Sequence, residues 1–507
     1  MRAVSVLKDR LKVSTADPRW VAVAVGGAIF FGTLILAQAV ISLFLFVWLA
    51  FFLFASFRPK AALFAYTFAL PFMPLYFGYH RFIYPWGWIT VAELGITALA
   101  AGTLLNVWAT KTRPAKASPL SIYVLLFLFL ILAPSLVFVN LLRFPLAVTH
   151  YLVGSGALLY FVTTRLLTNS GEVRGLVRLL LISGALAGIL AVVESAAGKG
   201  LFRQILPSPF TIWYSVEGQS LGGTWGQDIT RMGRLRVHLG MNQPLALGGW
   251  LAMLLPLALA WYALARLTGN SPVKLNTRSF ALVSMVLIAI GILLTLSYSV
   301  WAATAFACVA ILLHADVRRH LLPLALLAGL VISLAAFLFI SARGGIALGE
   351  PVTTEAVLHS QHRVKILQAT WVGLSANPLF GEGLEAEKIK GVTGTVGEQL
   401  IYREDMCNAY ANLLLRHGLV GLAAFMLLAF AILWHLCRVS ITSASPESRI
   451  LAWALVAMFA GQFIALWAIP WFIGQHGHFF WIMVAIANRM GSFEEDTSPY
   501  SPAGGDR

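Results

Sequence analysis

Apolar runs of about 18 residues or more recur from one end of this 507-residue chain to the other, and each is long enough to cross a bilayer as a helix. Only 11% of the residues are charged, against about 25% in an ordinary soluble domain. The chain therefore reads as an integral membrane protein with many spans. The first run, residues 20–57, follows a basic leader, is too long for a signal-peptide core and lacks a small-residue cleavage site, so it reads as a retained anchor. Cys308, Cys407 and Cys437 are too scattered for a disulfide framework. No zinc spacing, P-loop, fixed-period repeat or nucleic-acid-binding motif is present, so neither a cofactor, a metal nor nucleic acid is expected.

The hydropathy pattern predicts an all-α fold of about fourteen transmembrane helices, at roughly 20–37, 39–57, 61–78, 89–110, 118–138, 145–166, 174–195, 239–265, 279–297, 299–315, 320–341, 406–436, 450–472 and 477–491. Ser297 and Ser299 form the weakest divider. The regions are then a leader (1–19), an N-terminal bundle (20–195), loop one (196–238), central helices (239–341), loop two (342–405), C-terminal helices (406–491) and a disordered tail (492–507). With the N-terminus in the cytoplasm, every inward segment holds at least two lysines or arginines. The short outward links hold only Arg81 and Arg143, as the positive-inside bias requires. Both termini are expected in the cytoplasm and both long loops outside it.

Those two loops carry basic residues against that bias. Loop one has Lys199, Arg203, Arg231, Arg234 and Arg236 against Glu217 and Asp228. Loop two has Arg343, Arg363, Lys365, Lys388, Lys390 and Arg403 among a larger number of carboxylates, including Glu404 and Asp405. Long loops cross regardless of charge, and a charge run is often only solvated. The arginines of loop one nevertheless abut a span, at headgroup depth. Val364, Leu367, Trp371 and Leu374 recur at helical spacing and predict an amphipathic helix at the outer interface, ended by Asn377-Pro378. Glu93, inside a span, is expensive in lipid and should face the bundle, whereas His476 and His478 read as part of a short outer link.

An outward cation patch beside carboxylates suits a polyprenyl diphosphate carrying a sugar chain. The sugar is already activated, so no ATP is needed. What remains is to stabilise the departing diphosphate, which arginine forks do with paired charge-assisted hydrogen bonds, and to take a proton from the acceptor hydroxyl.

Four stretches carry a family resemblance: "RVHLGMNQPLALGGWLAMLLPLALAW" (236–261), "LLTLSYSVWAATAF" (293–306), "HRVKILQATWVGLSANPLFGEGL" (362–384) and "CNAYANLLLRHGLVGL" (407–422). In this order they resemble the O-antigen ligase/O-antigen polymerase superfamily, and are similar to its exopolysaccharide polymerases. The resemblance implies a metal-independent, inverting glycosyltransferase acting on undecaprenyl-diphosphate glycans at the periplasmic face of the bacterial inner membrane. Arg236, with Arg231 and Arg234 beside it, resembles the family's loop-one arginine. Arg363, followed by Lys365, resembles its loop-two arginine. Asn408 and Tyr410 are the supporting positions. Three family pairs differ here: Cys407 stands where ligases have a histidine, Ser297-Tyr298 where a Ser-Arg pair is usual, and Gln243-Pro244 where His-Pro is usual. The Cys407 departure favours polymerisation over ligation to lipid A-core or protein, with Asp405 as candidate base and Glu404 or His362 as substitutes. A transporter or noncatalytic assembly partner is the alternative of another class. A flippase and a chain-length regulator are the expected partners, with membrane lipid.

Overall fold

The computed structural model describes residues 39–73, 91–111, 119–138, 148–201, 244–267, 272–321, 408–469 and 474–490. Of the long loops it describes 215–216, 219–220, 230–231, 234–239, 241, 370–371, 374–375, 377–381, 394–396 and 399–401. The helices are α1 (Ala39–Phe57), α2 (Pro59–Ala69), α3 (Val91–Thr110), α4 (Pro119–Phe138), α5 (Ala157–Leu166) and α6 (Ser170–Ala197), then α7 (Pro244–Leu267), α8 (Pro272–Leu294), α9 (Tyr298–Leu312), α10 (Ala409–Thr442), α11 (Pro446–Ala465) and α12 (Gln475–Met490). Among the described residues six helices are long and apolar enough to cross a membrane. The count is up to seven if the pair Tyr298–Leu312 and Ala315–Leu321, bent by 110°, forms one span. The multi-pass helical fold is thus borne out at a coarser level than fourteen spans. The predicted spans 20–37 and 320–341 fall almost wholly outside the described residues.

Packing sorts the helices into an interior and a lipid-facing set. α7 packs on α8, α9 and α11, and α12 on α5 and α10. Every side chain of α12 is buried, including Gln475, His476, His478, Asn488 and Arg489. Phe129 in α4, Leu104 and Trp108 in α3, and Phe430 and Trp434 in α10 are exposed, as suits apolar groups that meet lipid tails. His476 and His478 therefore lie inside a helix at the core and not in an outer link. Gln462 bonds His476, and Tyr66 and the Gly154 carbonyl bond His478.

Three predicted spans are interrupted where hydropathy reads as continuous. The stretch 145–166 contains a single π-turn, His150–Gly154, before α5 begins. Gly156 between them has φ +84, and a Cβ there would sit 2.5 Å from the His478 ring. α2 gives way to a 3₁₀ turn, Leu70–Phe72, at Pro71. α10 is broken at Gly418, where φ is 61 and ψ is −160. The freed amides of Leu419 and Val420 donate to Pro378 O (2.9 Å) and Leu379 O (3.1 Å). Loop two thus plugs the break in α10, glycine against glycine, since Gly381 (φ +69) lies against the Leu415 carbonyl and the Gly418 nitrogen. Non-helical backbone at membrane depth persists only where protein satisfies its polar groups in this way.

The loops are not purely helical. Three two-stranded antiparallel ribbons occur among the described residues: β1–β2 (Ser215–Val216, Gln219–Ser220), β3–β4 (Thr230–Arg231, Arg234–Leu235) and β5–β6 (Gly394–Val396, Gln399–Ile401). Of the expected amphipathic helix only 370–371 and 374–375 are described, as helical, with Thr370 buried and Trp371 exposed.

Candidate active site

The two ends of the bundle differ in chemistry. At one end, away from the long loops, ion pairs tie helices together: Lys60 with Glu172, Arg174 with Glu447 (3.1 Å) and Arg449 with Asp316 (3.9 Å). At the other end α6 stops, α7, α10 and α12 start, and both long loops leave. Buried polar groups collect there. His478 bonds Tyr66 (2.9 Å) and the Gly154 carbonyl (3.1 Å), which also accepts from the Gly474 amide (3.0 Å). Tyr151, in the π-turn, bonds His417, and the buried Arg416 precedes it on α10. Glu93 is buried with its carboxylate toward Gly154, so it faces the bundle as expected.

Loop one enters this end as an extended segment after β4. Leu235, Val237 and Leu239 are buried at 7%, 0% and 2% exposure, while Arg236 and His238 between them are half-buried, the period-2 pattern of an extended chain on an apolar surface. Three sets of bonds pin it. The Val237 amide donates to Leu294 O at 3.3 Å. The Arg236 guanidinium donates from Nε to Thr295 O (3.1 Å) and from Nη2 to Ser297 Oγ (2.9 Å). Glu194, in the last turn of α6 and fully buried, accepts the amides of His238 (2.9 Å) and Leu239 (3.3 Å) on one oxygen, and that of Leu201 (3.1 Å) on the other. The α8–α9 junction that Arg236 grips is itself sharp, with Leu296 at φ 47. Ser297, the weak divider of the sequence, is a true helix boundary. α7 begins beside it, since a Cβ on Gly248 would lie 3.0 Å from Thr295 Oγ1.

The predicted site residues fall into three groups. Arg231, Arg234 and Arg236 share one short stretch, and the backbones of Arg231 and Arg234 pair directly across β3–β4. Asn408 and Tyr410 serve the helix. Asn408 Oδ1 caps α10 by accepting from the amides of Tyr410 (3.0 Å) and Ala411 (3.1 Å), and the Tyr410 hydroxyl donates to Phe463 O (2.6 Å). His362, Arg363, Lys365, Glu404 and Asp405 lie outside the described residues. Sequence reasoning passed over Glu194, His238, Tyr151, Arg416 and His417. Glu194 did carry a signal, since a lone carboxylate closing an apolar span is costly in lipid.

Fold and site together define a multi-pass helical membrane protein whose polar groups gather at one end under two long loops. Residues 283–426 match the family model described as O-Antigen ligase, so the chain carries a domain of the O-antigen ligase/polymerase superfamily and the resemblance read from its motifs holds. No curated protein matches the chain. The matched stretch runs from α8 through loop two into α10. It includes Thr295, Ser297, the Pro378–Gly381 turn, Asn408 and Gly418, but neither Arg236 nor Glu194.

Proposed function

We propose that this protein is a glycan polymerase of the bacterial inner membrane. It transfers an undecaprenyl-diphosphate-linked oligosaccharide to an acceptor sugar hydroxyl on the periplasmic face, with inversion and without a metal. The observation that carries this reading is that a loop-one guanidinium, Arg236, is bonded to Thr295 and Ser297 inside the stretch that matches the O-antigen ligase family. A planar guanidinium presents forked donors to phosphate oxygens, and charge-assisted bonds of this kind contribute about 1.5–3 kcal/mol each.

In this reading the fourteen-span arrangement puts the ion-paired end in the cytoplasm and the loop-bearing end outside. Arg231, Arg234 and Arg236 of loop one, with Arg363 and Lys365 of loop two, hold the donor diphosphate as its negative charge grows. Asp405, Glu404 or His362 are the loop-two groups available to an acceptor proton. A flippase supplies the donor and a chain-length regulator meets the product. Cys407, where ligases of the family carry histidine, favours polymerisation over transfer to lipid A-core or protein.

Full-length protein in detergent, given lipid-diphosphate oligosaccharides extracted from the membranes of its source cells, separates the readings. A ladder of lengthening glycans is the expected product. A single addition to lipid A-core or protein acceptor would mean ligation, and movement across liposomes without new bonds would mean transport. No product from any acceptor would end the enzymatic reading.

A further inference from the structure

The segment that carries Arg236 presents a second group whose chemistry is set by its bonds. Arg236 and His238 project from the same edge of the extended segment, away from the buried Val237 and Leu239. His238 Nδ1 lies 3.0 Å from Leu239 O. A carbonyl only accepts, so Nδ1 holds the ring proton and the neutral imidazole keeps its lone pair on Nε2. Among the described residues no bond is recorded to Nε2. A half-buried imidazole with its tautomer fixed and its basic nitrogen unbonded by any described residue is equipped to receive a proton.

The backbone beneath it is held as firmly. Glu194 serves three N–H donors with two oxygens, two of those donors being the amides of His238 and Leu239. An amide side chain has one acceptor oxygen and cannot serve both sides. A fully buried carboxylate at the C-terminal end of a helix is unfavourable for burial and for the helix dipole alike, so these bonds are what sustain it. Leu239 adopts φ 51, a conformation uncommon outside glycine, and Glu194 clasps its amide. Among the described residues the charged groups that meet the segment are Glu194, from α6, and Arg236 on the segment itself. The α8–α9 junction contributes Thr295 and Ser297, neither of which titrates near neutrality.

We infer that His238 is the proton acceptor of the transfer reaction, and that Glu194 is the positioning residue that holds it beside Arg236. The inference rests on the reading that Arg236 binds the donor diphosphate. As the acceptor oxygen attacks the anomeric carbon, its proton passes to His238 Nε2. The bond from that carbon to the diphosphate oxygen breaks, and its electron pair leaves with the lipid diphosphate. The imidazolium then returns its proton to water.

The test measures chain extension by full-length protein on the extracted lipid-diphosphate oligosaccharides across pH. The wild-type profile has an acid limb, where a base already carrying a proton cannot act. His238→Ala lowers kcat by about 10²–10⁴-fold with the donor KM unchanged, and the acid limb disappears. Added imidazole restores part of that rate, which no structural role explains. His238→Gln, which keeps a polar side chain, repeats the kcat loss with an unaltered melting temperature. Glu194→Gln lowers kcat in the same direction, and the double variant with His238→Ala is no slower than His238→Ala alone. Retention of the wild-type rate or of the acid limb in His238→Ala, a loss confined to KM, or transfer of the acid limb's control to Asp405→Asn would each overturn the inference. The diphosphate reading fails by a different sign, an Arg236→Ala variant with wild-type kcat and KM.

Discussion

Gly418→Ala tests how loop two is fastened to the bundle. At φ 61 and ψ −160 the backbone lies in a region nearly exclusive to glycine, where a side chain costs about 1–3 kcal/mol. A Cβ there would also stand 2.4 Å from the carbonyl carbon and oxygen of Leu379, backbone atoms that cannot rotate away. Relief requires separating the Asn377–Gly381 turn from α10, which breaks the bonds from the Leu419 and Val420 amides. Each contributes about 0.5–1.5 kcal/mol. With the break kept, strain and the two lost bonds together make the net loss about 2–6 kcal/mol. The matched control is Gly175→Ala in α6, where a Cβ would meet Phe64 at an ordinary 3.5 Å, and which should gain roughly 0.5–1 kcal/mol. Thermal unfolding in detergent should show Gly418→Ala melting well below wild type and Gly175→Ala at or above it. Hydrogen exchange should show Leu419 and Val420 losing protection. If the two variants melt together and those amides stay protected, the turn is not what closes the break.

Arg236→Lys keeps the charge and loses the fork that spans Thr295 O and Ser297 Oγ, so chain extension should fall by roughly tenfold or more, and Ser297→Ala should give a smaller loss of the same kind. Asn408→Ala removes the cap of α10 and should lower stability by about 1 kcal/mol, while Asn408→Asp is tolerated and kcat holds in both, as paired melting and turnover measurements will show. Arg174→Ala breaks an exposed pair with Glu447 and should shift stability by less than about 1 kcal/mol with no effect on chain extension. With Cys308, Cys407 and Cys437 first replaced by serine, Ser220→Cys in whole cells should react with a membrane-impermeant maleimide and Thr112→Cys should not. The reverse pattern would invert the proposed orientation.

How far the sequence reached depends on what each feature answers to. Predicted spans 39–57, 89–110 and 118–138 return as Ala39–Phe57, Val91–Thr110 and Pro119–Phe138 because hydropathy alone dictates them. The breaks do not announce themselves, because hydropathy is blind to backbone angle. The apolar run across Gly418 reads the same whether α10 is straight or plugged by Pro378 and Leu379. α12 was legible as apolar but not as interior. Its histidines are stabilised by Tyr66 and Gln462, and the Tyr66 partner lies 412 positions away. The arginines of loop one were legible as a cluster through their conflict with the positive-inside bias. That Arg236 grips the α8–α9 junction follows from the alternation of Leu235, Val237 and Leu239 against the core, a period-2 signal hidden where a span was expected to begin at 239.

The irregular backbone is informative because of where it lies. The π-turn at His150, the left-handed Gly156, the Thr295–Ser297 junction and the break at Gly418 all fall at the loop-bearing end, and each sets a polar side chain beside another. The opposite end closes its helices with exposed ion pairs that contribute little to stability, and the 110° bend between Leu312 and Ala315 lies there beside the Arg449–Asp316 pair. A bundle optimised for stability alone has no reason to keep left-handed glycines and broken helices over buried histidines at the loop-bearing face. Each departure at that face is instead met by a specific bond: Gly154 O to His478, Leu379 O to Val420, and Glu194 to His238 and Leu239. Such over-determination holds side chains in fixed positions against an apolar medium, which is what a group-transfer site at a membrane surface requires, where reacting groups must be aligned before a bulky lipid-borne donor arrives. The Arg236–His238 edge is where that logic is most exposed. A slip of one residue would bury both side chains and turn Val237 and Leu239 outward, and the amides of His238 and Leu239 held by Glu194 make that slip costly.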